Sequence, residues 1–329
     1  MSLIEGISKF SEQRVLVIGD VMMDAYCWGK VDRISPEAPV PIVNVHQWDK
    51  RLGGAANVAL NAISLGAKVS MCSVVGNDDQ SKELVRLLNK EGVQTQAIVH
   101  SFDRPTTVKT RVIAGGHHIV RIDEEVTTPL NDREESELWG LIEQEMNENH
   151  PSVIILEDYN KGVLTPFLIN KVIEKANAMN IPTTVDPKKD HFWDYQGCTL
   201  FKPNLKEMRE GLKLEIDPQS LDSLQNAVTA LESKMGNSIS LLTLSEYGMM
   251  IHRKNEWIHE KAHHREVVDV SGAGDSVIAT ASLALAAGMH LKEVVYIANL
   301  AGGLVCEKVG VVPITQDMLR KEIQALNLA

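Results

Sequence analysis

The chain has 329 residues, of which 44% are hydrophobic and 23% charged, with a formal net charge of −11. These proportions are those of a soluble globular protein rather than a disordered or membrane one, and the negative balance argues against nucleic acid and anionic membrane surfaces as partners, which favours small-molecule chemistry. No apolar run reaches the ~18 residues of a membrane span, no signal-peptide core opens the sequence, and Cys27, Cys72, Cys198 and Cys306 are too scattered for a metal or redox motif, so a cytoplasmic chain with reduced cysteines is expected.

In chain order, the apolar run 14–19 ending in glycine predicts a buried parallel strand. Residues 31–48 form a first excursion, in which Pro36, Pro39 and Pro41 precede an alternating segment, 42–48, with edge-strand character. A helix over 55–65, a strand over 68–75 and a helix over 79–91 then establish β/α alternation, with Gly66 and Gly92 as helix stops. A second excursion, 107–123, places Gly115-Gly116 between two alternating stretches, the composition of a hairpin turn. The two excursions are expected to pair into a small β lid. Alternation resumes with a helix at 134–148, a strand at 153–156, a helix at 166–179 and strands at 183–185, 199–201 and 238–243. A hairpin over 248–259 and helices at 274–287, 292–308 and 315–326 complete the pattern. It predicts a single α/β domain over 1–329, a mainly parallel sheet with helices on both faces.

The segment Asp269-Val270-Ser271-Gly272-Ala273-Gly274-Asp275 runs directly into an apolar helical stretch. Small residues at a helix start let backbone N–H groups approach an anion, and the helix dipole favours negative charge there. Gly272, Ala273 and Gly274 would form an anion hole, with Asp275 accepting the proton of an attacking hydroxyl. The same residues equally suit a tight loop in which Asp275 caps the helix. Neither GxxxxGK[ST] nor GxGxxG occurs, which sets aside P-loop and dinucleotide-binding chemistry. Gly53-Gly54-Ala55-Ala56-Asn57 permits close approach of a ligand, with Asn57 offering both a donor and an acceptor; alone, it reads more simply as a helix cap. Asp20 and Asp24 follow the carboxyl end of the first strand, where open α/β sheets bind ligands, though turns favour the same residues. His263 and His264 have no third ligand nearby, so no metal-ligand set is assigned.

Together, 53–57 and 269–275 resemble, in order and spacing, the two signatures of the ribokinase-like (PfkB) carbohydrate kinases. Between them, Asn204-Leu205-Lys206-Glu207 resembles that family's NxxE motif, associated with magnesium and nucleotide phosphates. Gly19-Asp20-Val21-Met22-Met23-Asp24, the run 33–41, Asp158-Tyr159-Asn160-Lys161-Gly162 and Asp186-Pro187-Lys188 are similar to the D-glycero-β-D-manno-heptose 7-phosphate kinases within it. Ser271 stands where that subfamily usually has threonine, and Glu157 replaces a smaller residue.

The resemblance implies ATP and Mg²⁺ as cofactors, with room for a monovalent cation, and phosphorylation of the anomeric hydroxyl in the route to ADP-heptose and lipopolysaccharide core. It places Asp20, Asp24, Gly53, Gly54 and Asn57 at the sugar, and Asn204 with Glu207 at hydrated Mg²⁺. Lys109, Arg111 and Arg121 on the lid, then Lys161 and Lys188, are the candidates for the substrate phosphate, although a solvated hairpin face would carry the same lid charges. Many members carry a fused adenylyltransferase domain with an HxGH motif, absent here, so a stand-alone kinase or a truncated fused enzyme is expected. An edge-strand lid leaves backbone groups that a second subunit could cover, which predicts a homodimer through the lid. Two other functions fit less well: a kinase for another sugar or nucleoside, and a non-catalytic sugar-phosphate-binding regulator, which an intact Asp275 disfavours.

Overall fold

The computed structural model describes residues 2–263 and 265–326; His264 lies outside them. Among the described residues, thirteen strands form two sheets, β1 (Arg14–Gly19), β2 (Val21–Ile34), β3 (Pro41–Gly54), β4 (Lys68–Gly76), β5 (Gln94–Ser101), β6 (Val108–Ala114), β7 (His117–Glu124), β8 (Val153–Glu157), β9 (Thr183–Asp186), β10 (Leu200–Phe201), β11 (Ile239–Thr243), β12 (Met249–Arg253) and β13 (Glu256–Glu260). The main sheet has nine strands in the order β13-β12-β11-β10-β9-β8-β1-β4-β5. From β5 to β11 every pairing is parallel, and only the β12 and β13 edge runs antiparallel.

Side chains alternate across a strand, so a central strand feeds two cores. Val15 and Val17 of β1 join a cluster with the helices Ala55–Ser64, Ala273–Ala286 and Leu291–Cys306. Leu16 and Ile18 enter a second cluster with the helices Asp132–Asn149, Pro166–Ala178 and Leu221–Met235 on the other face. This is a ribokinase-like arrangement of one large, mostly parallel sheet between two helical layers. Cys27, Cys72 and Cys198 are buried free thiols.

The lid is a second sheet of four strands in the order β3-β2-β6-β7. It is larger than the sequence suggests: the first excursion, expected over 31–48, runs from Val21 to Gly54 as two paired strands of 14 residues each. β2 escapes sequence reading because its burial changes along its length. Its first nine residues are wholly or largely buried against the main body and its last five are exposed, so no single periodicity runs through it. The second excursion forms the β6–β7 hairpin around Gly115-Gly116, as expected, and β6 pairs with β2 in parallel. Among the described residues, no helix is long and apolar enough to cross a membrane.

Candidate active site

The helix Ala273–Ala286 begins with residues too small to shield its N-terminus, and no side chain caps it. Gly272, the residue before it, has φ 78°, a left-handed backbone that favours glycine, and a Cβ there would stand 2.9 Å from Asn57 Nδ2. Of the three expected anion-hole donors, the Ala273 N–H is already engaged, donating to the Val270 carbonyl at 3.2 Å. The open donors of the loop are therefore Gly272 and Gly274. Asp269 holds the loop in shape, accepting from Ser271 N and Gly310 N, each at 2.9 Å.

Asp275 lies one turn into this helix and is almost wholly buried, yet it does not cap the helix. Its carboxylate accepts instead from two distant side chains, Asn57 Nδ2 at 2.6 Å and the Tyr159 hydroxyl at 2.8 Å. Burial pushes its pKa above the usual carboxylate range, and these two bonds oppose the rise by favouring the charged form. Asn57 is positioned in turn by Asn61, whose Nδ2 donates to the Asn57 carbonyl and whose Oδ1 accepts from Ser276 Oγ, each at 2.8 Å. The helices that carry the two glycine-rich segments are thus locked together beneath the carboxylate.

Asp20, expected at the sugar, is committed elsewhere. Its buried carboxylate accepts three backbone N–H groups, from Tyr159 at 2.8 Å and from Lys161 and Val163 at 3.1 Å, which fixes the loop that delivers Tyr159. Burial raises its pKa and the three amides hold it back. Asp24 sits on the lid strand β2, paired with Arg111 Nη1 at 2.5 Å. A Cβ at Gly53 would collide with Asp24 Oδ2, so that glycine serves close strand packing beside Asp24. Gly53 and Gly54 close β3, and Gly54, with φ 58°, is also the N-cap of the helix Ala55–Ser64, as the helix-cap reading expects.

Asn204 and Glu207 form a capping box at the helix Leu205–Leu212, with Glu207 N donating to Asn204 Oδ1 at 2.8 Å and Asn204 N to Glu207 Oε2 at 2.9 Å. The remaining Glu207 oxygen faces Lys188 Nζ at 3.3 Å. Leu205 packs toward the core, while Lys206 is 83% exposed and only loosely paired with Glu210, so neither carries the motif's chemistry. Lys188 also lies 3.7 Å from Asp186 and 5.0 Å from the Tyr159 ring centre. Burial works against its charge, but Asp186 and Glu207 outweigh it and raise the ammonium pKa.

The basic lid candidates are all ion-paired. Lys109 reaches Glu125 at 2.7 Å and Asp123 at 3.2 Å, and Lys161 comes from the opposite side to Glu125 at 2.8 Å. Arg121, whose side chain is 57% exposed, pairs with Asp123 at 2.9 Å. Three further residues enter the site without a role assigned from sequence. Tyr159 touches Asp275; Asp186 ends β9 and is bound by buried Lys202 at 2.9 Å; Glu157 ends β8, wholly buried. A signal for them existed, since Asp20, Glu157 and Asp186 are acidic residues at or just beyond the carboxyl ends of three neighbouring parallel strands. His263 packs edge-on against Tyr296, away from any metal-like cluster.

Residues 12–317 match the pfkB family carbohydrate kinases. The chain is 42% identical over 308 residues to the bifunctional protein HldE of Trichlorobacter lovleyi, covering 93% of this chain and 62% of that protein. It is 41% identical over 323 residues to the Coxiella burnetii protein of the same name, covering 97% and 66% respectively. The chain therefore spans less than two thirds of the length of these curated relatives. Among solved structures, Escherichia coli phosphofructokinase-2 in complex with potassium superposes with a TM-score of 0.78 at 20% identity, over 96% of this chain and 99% of that one. Arabidopsis thaliana ribokinase complexed with ribose and ATP superposes with a TM-score of 0.71 at 16% identity, over 94% and 98%. At such identities the structures speak for the fold alone, while the sequence match over nearly the whole chain shows that it belongs to the pfkB family of carbohydrate kinases.

Proposed function

We propose that this chain transfers the γ-phosphoryl group of ATP to the anomeric hydroxyl of D-glycero-β-D-manno-heptose 7-phosphate, giving the 1,7-bisphosphate and ADP. The observation that carries this reading is the setting of Asp275, a buried carboxylate aligned by Asn57 and Tyr159 beside an uncapped helix N-terminus. The likeness to HldE proteins and the heptose-kinase strings around Asp20, Asp158 and Asp186 supply the substrate class.

In this mechanism Asp275 takes the proton of the attacking hydroxyl while the new O–P bond forms and the bond to ADP breaks. Its raised pKa suits that work, because a base poised closer to neutral pH accepts a proton more readily. The Gly272 and Gly274 amides donate to the charge that builds on the transferred group, and a preorganised donor of this type contributes about 3 kcal/mol. A divalent metal ion, which we assign as Mg²⁺, would neutralise the ATP phosphates when bound. Glu207 and Asn204 would hold it through water, since capping bonds occupy Asn204 Oδ1 and Glu207 Oε2 and Lys188 faces Glu207 Oε1, and their oxygen donors suit a hard ion. Asp24 and Asn57 orient sugar hydroxyls.

Among the basic candidates, Lys109 and Lys161 converge on one carboxylate, Glu125, and this convergence makes them the strongest receptor for the substrate phosphate. Arg111 is bound to Asp24, and Lys188 belongs with Asp186 and Glu207 on the nucleotide-phosphate side. The lid's outer surface exposes Ile34, Trp48, Val120 and Ile122, which supports a homodimer formed through it. A coupled ADP-release assay with heptose 7-phosphate and unphosphorylated heptose tests the substrate. The phosphorylated sugar should have the higher kcat/KM, and a preference for an unphosphorylated sugar would leave only the broader sugar-kinase assignment.

A further inference from the structure

We propose that Glu125 is an internal competitor for the substrate phosphate, a carboxylate that takes the phosphate's place between Lys109 and Lys161 and must be displaced before a phosphorylated sugar can dock. The inference rests on the reading of these two lysines as the phosphate receptor, and it makes Glu125 the residue that sets how strictly a phosphate is required.

The contacts divide evenly between the two oxygens of Glu125. Oε2 accepts from Lys109 Nζ at 2.7 Å, and Oε1 accepts from Lys161 Nζ at 2.8 Å. A phosphate monoester meets two ammonium groups in the same way, with one oxygen for each, and it brings a third terminal oxygen and a charge of about −1.5 to −2 where a carboxylate carries one negative charge. Burial works to raise the Glu125 pKa, but the bonds from Lys109 and Lys161 outweigh it and bring the pKa below its ordinary value. Glu125 is therefore an anion at neutral pH, held where an anionic ligand would bind.

The backbone decides which partner yields. Lys161 is pinned at both its N–H, which donates to Asp20 Oδ2 at 3.1 Å, and its carbonyl, which accepts from Arg104 Nη1 at 2.9 Å. Lys109 lies on β6, an inner strand of the lid with β2 on one side and β7 on the other. Glu125 stands one residue past the last ladder pair of β7, Val108 with Glu124, and opens a stretch without regular structure that leads to the helix Asp132–Asn149. Two anchored lysines thus face a carboxylate on a connecting segment, and the carboxylate is the group that moves aside. Lys109 keeps Asp123, at 3.2 Å, as a second neighbour when Glu125 leaves.

The consequence is a threshold for entry. A receptor that is open in a fraction of the molecules binds its ligand more weakly by that fraction. A neutral sugar end offers nothing in exchange for the two ion pairs, whereas a dianion replaces both. Because partly exposed pairs are individually weak, the threshold amounts to a factor between about twofold and thirtyfold.

The test measures binding of inorganic phosphate to the full chain by isothermal titration calorimetry, without nucleotide or sugar. Glu125→Gln should bind phosphate at least about threefold more tightly than wild type. The double variant Glu125→Gln/Lys161→Ala should lose that gain, which separates this receptor from the helix N-terminus beside Asp275. Glu125→Asp, too short to span both lysines, is the second variant and should shift the same way, and circular dichroism checks that each variant is folded. Phosphate affinity that is unchanged or weaker in the folded single variants, or a gain that survives the loss of Lys161, overturns the competitor role whatever sugar wild type prefers. The receptor reading is scored apart from it in the coupled assay, where Glu125→Gln should raise kcat/KM for heptose 7-phosphate relative to unphosphorylated heptose. Tighter phosphate binding with an unchanged ratio would overturn the assignment of the substrate phosphate to Lys109 and Lys161.

Discussion

The main sheet and the lid handle charge in opposite ways. At the edge of the main sheet, Asp20, Asp158 and Asp275 are buried and each is held by two or more donors, at least one of which reaches across a long stretch of sequence. On the lid, Lys109, Arg111 and Arg121 lie nearer solvent and pair with carboxylates on the same small sheet or just beyond it. The first arrangement fixes a base in one geometry. The second consists of ion pairs that can be exchanged for a ligand at small cost, because pairs near solvent are individually weak. In the proposed mechanism the base belongs to the main body and the lid supplies Lys109 and Asp24 to the substrate, so the two can be perturbed separately.

The largest expected effect is at the base. Asp275→Asn keeps the shape and burial of the residue but cannot accept the hydroxyl proton, so kcat should fall at least ~100-fold with an unchanged melting temperature. Steady-state kinetics showing near-normal turnover would remove Asp275 from the chemistry. At the proposed phosphate receptor, alanine at Lys109 of the lid or at Lys161 of the loop after β8 should collapse the ratio of kcat/KM for heptose 7-phosphate to that for unphosphorylated heptose. Charge-assisted hydrogen bonds of roughly 1.5–3 kcal/mol correspond to about 10- to 150-fold. Retention of the wild-type ratio in both variants would move the phosphate to Arg111 or Arg121.

Tyr159→Phe should lower kcat/KM about tenfold near neutral pH through loss of one hydrogen bond to a charged acceptor. Burial raises the Asp275 pKa and the Tyr159 bond restrains it, so deleting that donor raises it further. The acid limb of the pH–rate profile should consequently move to higher pH, and a stationary limb would exclude this coupling. The smallest effect concerns Asp158, whose pKa burial and neighbouring Asp20 push up from 3.8 to about 6, against the pull of Asn160 N and Tyr195. The folded state holds this proton more tightly than the unfolded one, so wild type loses stability as pH rises from about 4 to 6. Asp158→Asn lacks that titration. Its melting temperature relative to wild type should rise by several degrees between pH 4 and pH 7, and a pH-independent difference would refute the assignment.

Much of the main sheet was legible because its strands are short apolar runs separated by amphipathic helices with clear stops, such as Gly66 and Gly92. Asp275 and Asn57 were legible as members of two glycine-rich segments, but the bond between them spans 218 residues and no local pattern encodes it. Tyr159 was hidden for the same reason, at a separation of 116 residues. Asn204 and Glu207 were read as ligands alone, although their spacing of three also has the form of a capping box, and the structure uses it as one. Glu157 was visible only as an odd residue in a familiar string. Its significance depends on β8 lying beside β9, which sheet order decides and sequence does not display.

One junction links the two sheets more tightly than their separate roles suggest. β1 passes into β2 through Asp20 alone, β3 passes into the helix Ala55–Ser64 with no intervening residue, and Ala55 N donates to the Asp20 carbonyl at 3.0 Å. The β2–β3 half of the lid thus stands on two legs whose feet are clasped to each other. One foot carries the carboxylate that shapes the Tyr159 loop, and the other lies two residues from Asn57. Both supports of Asp275, Asn57 and the Tyr159 loop, are thereby anchored at the same junction that carries these lid strands.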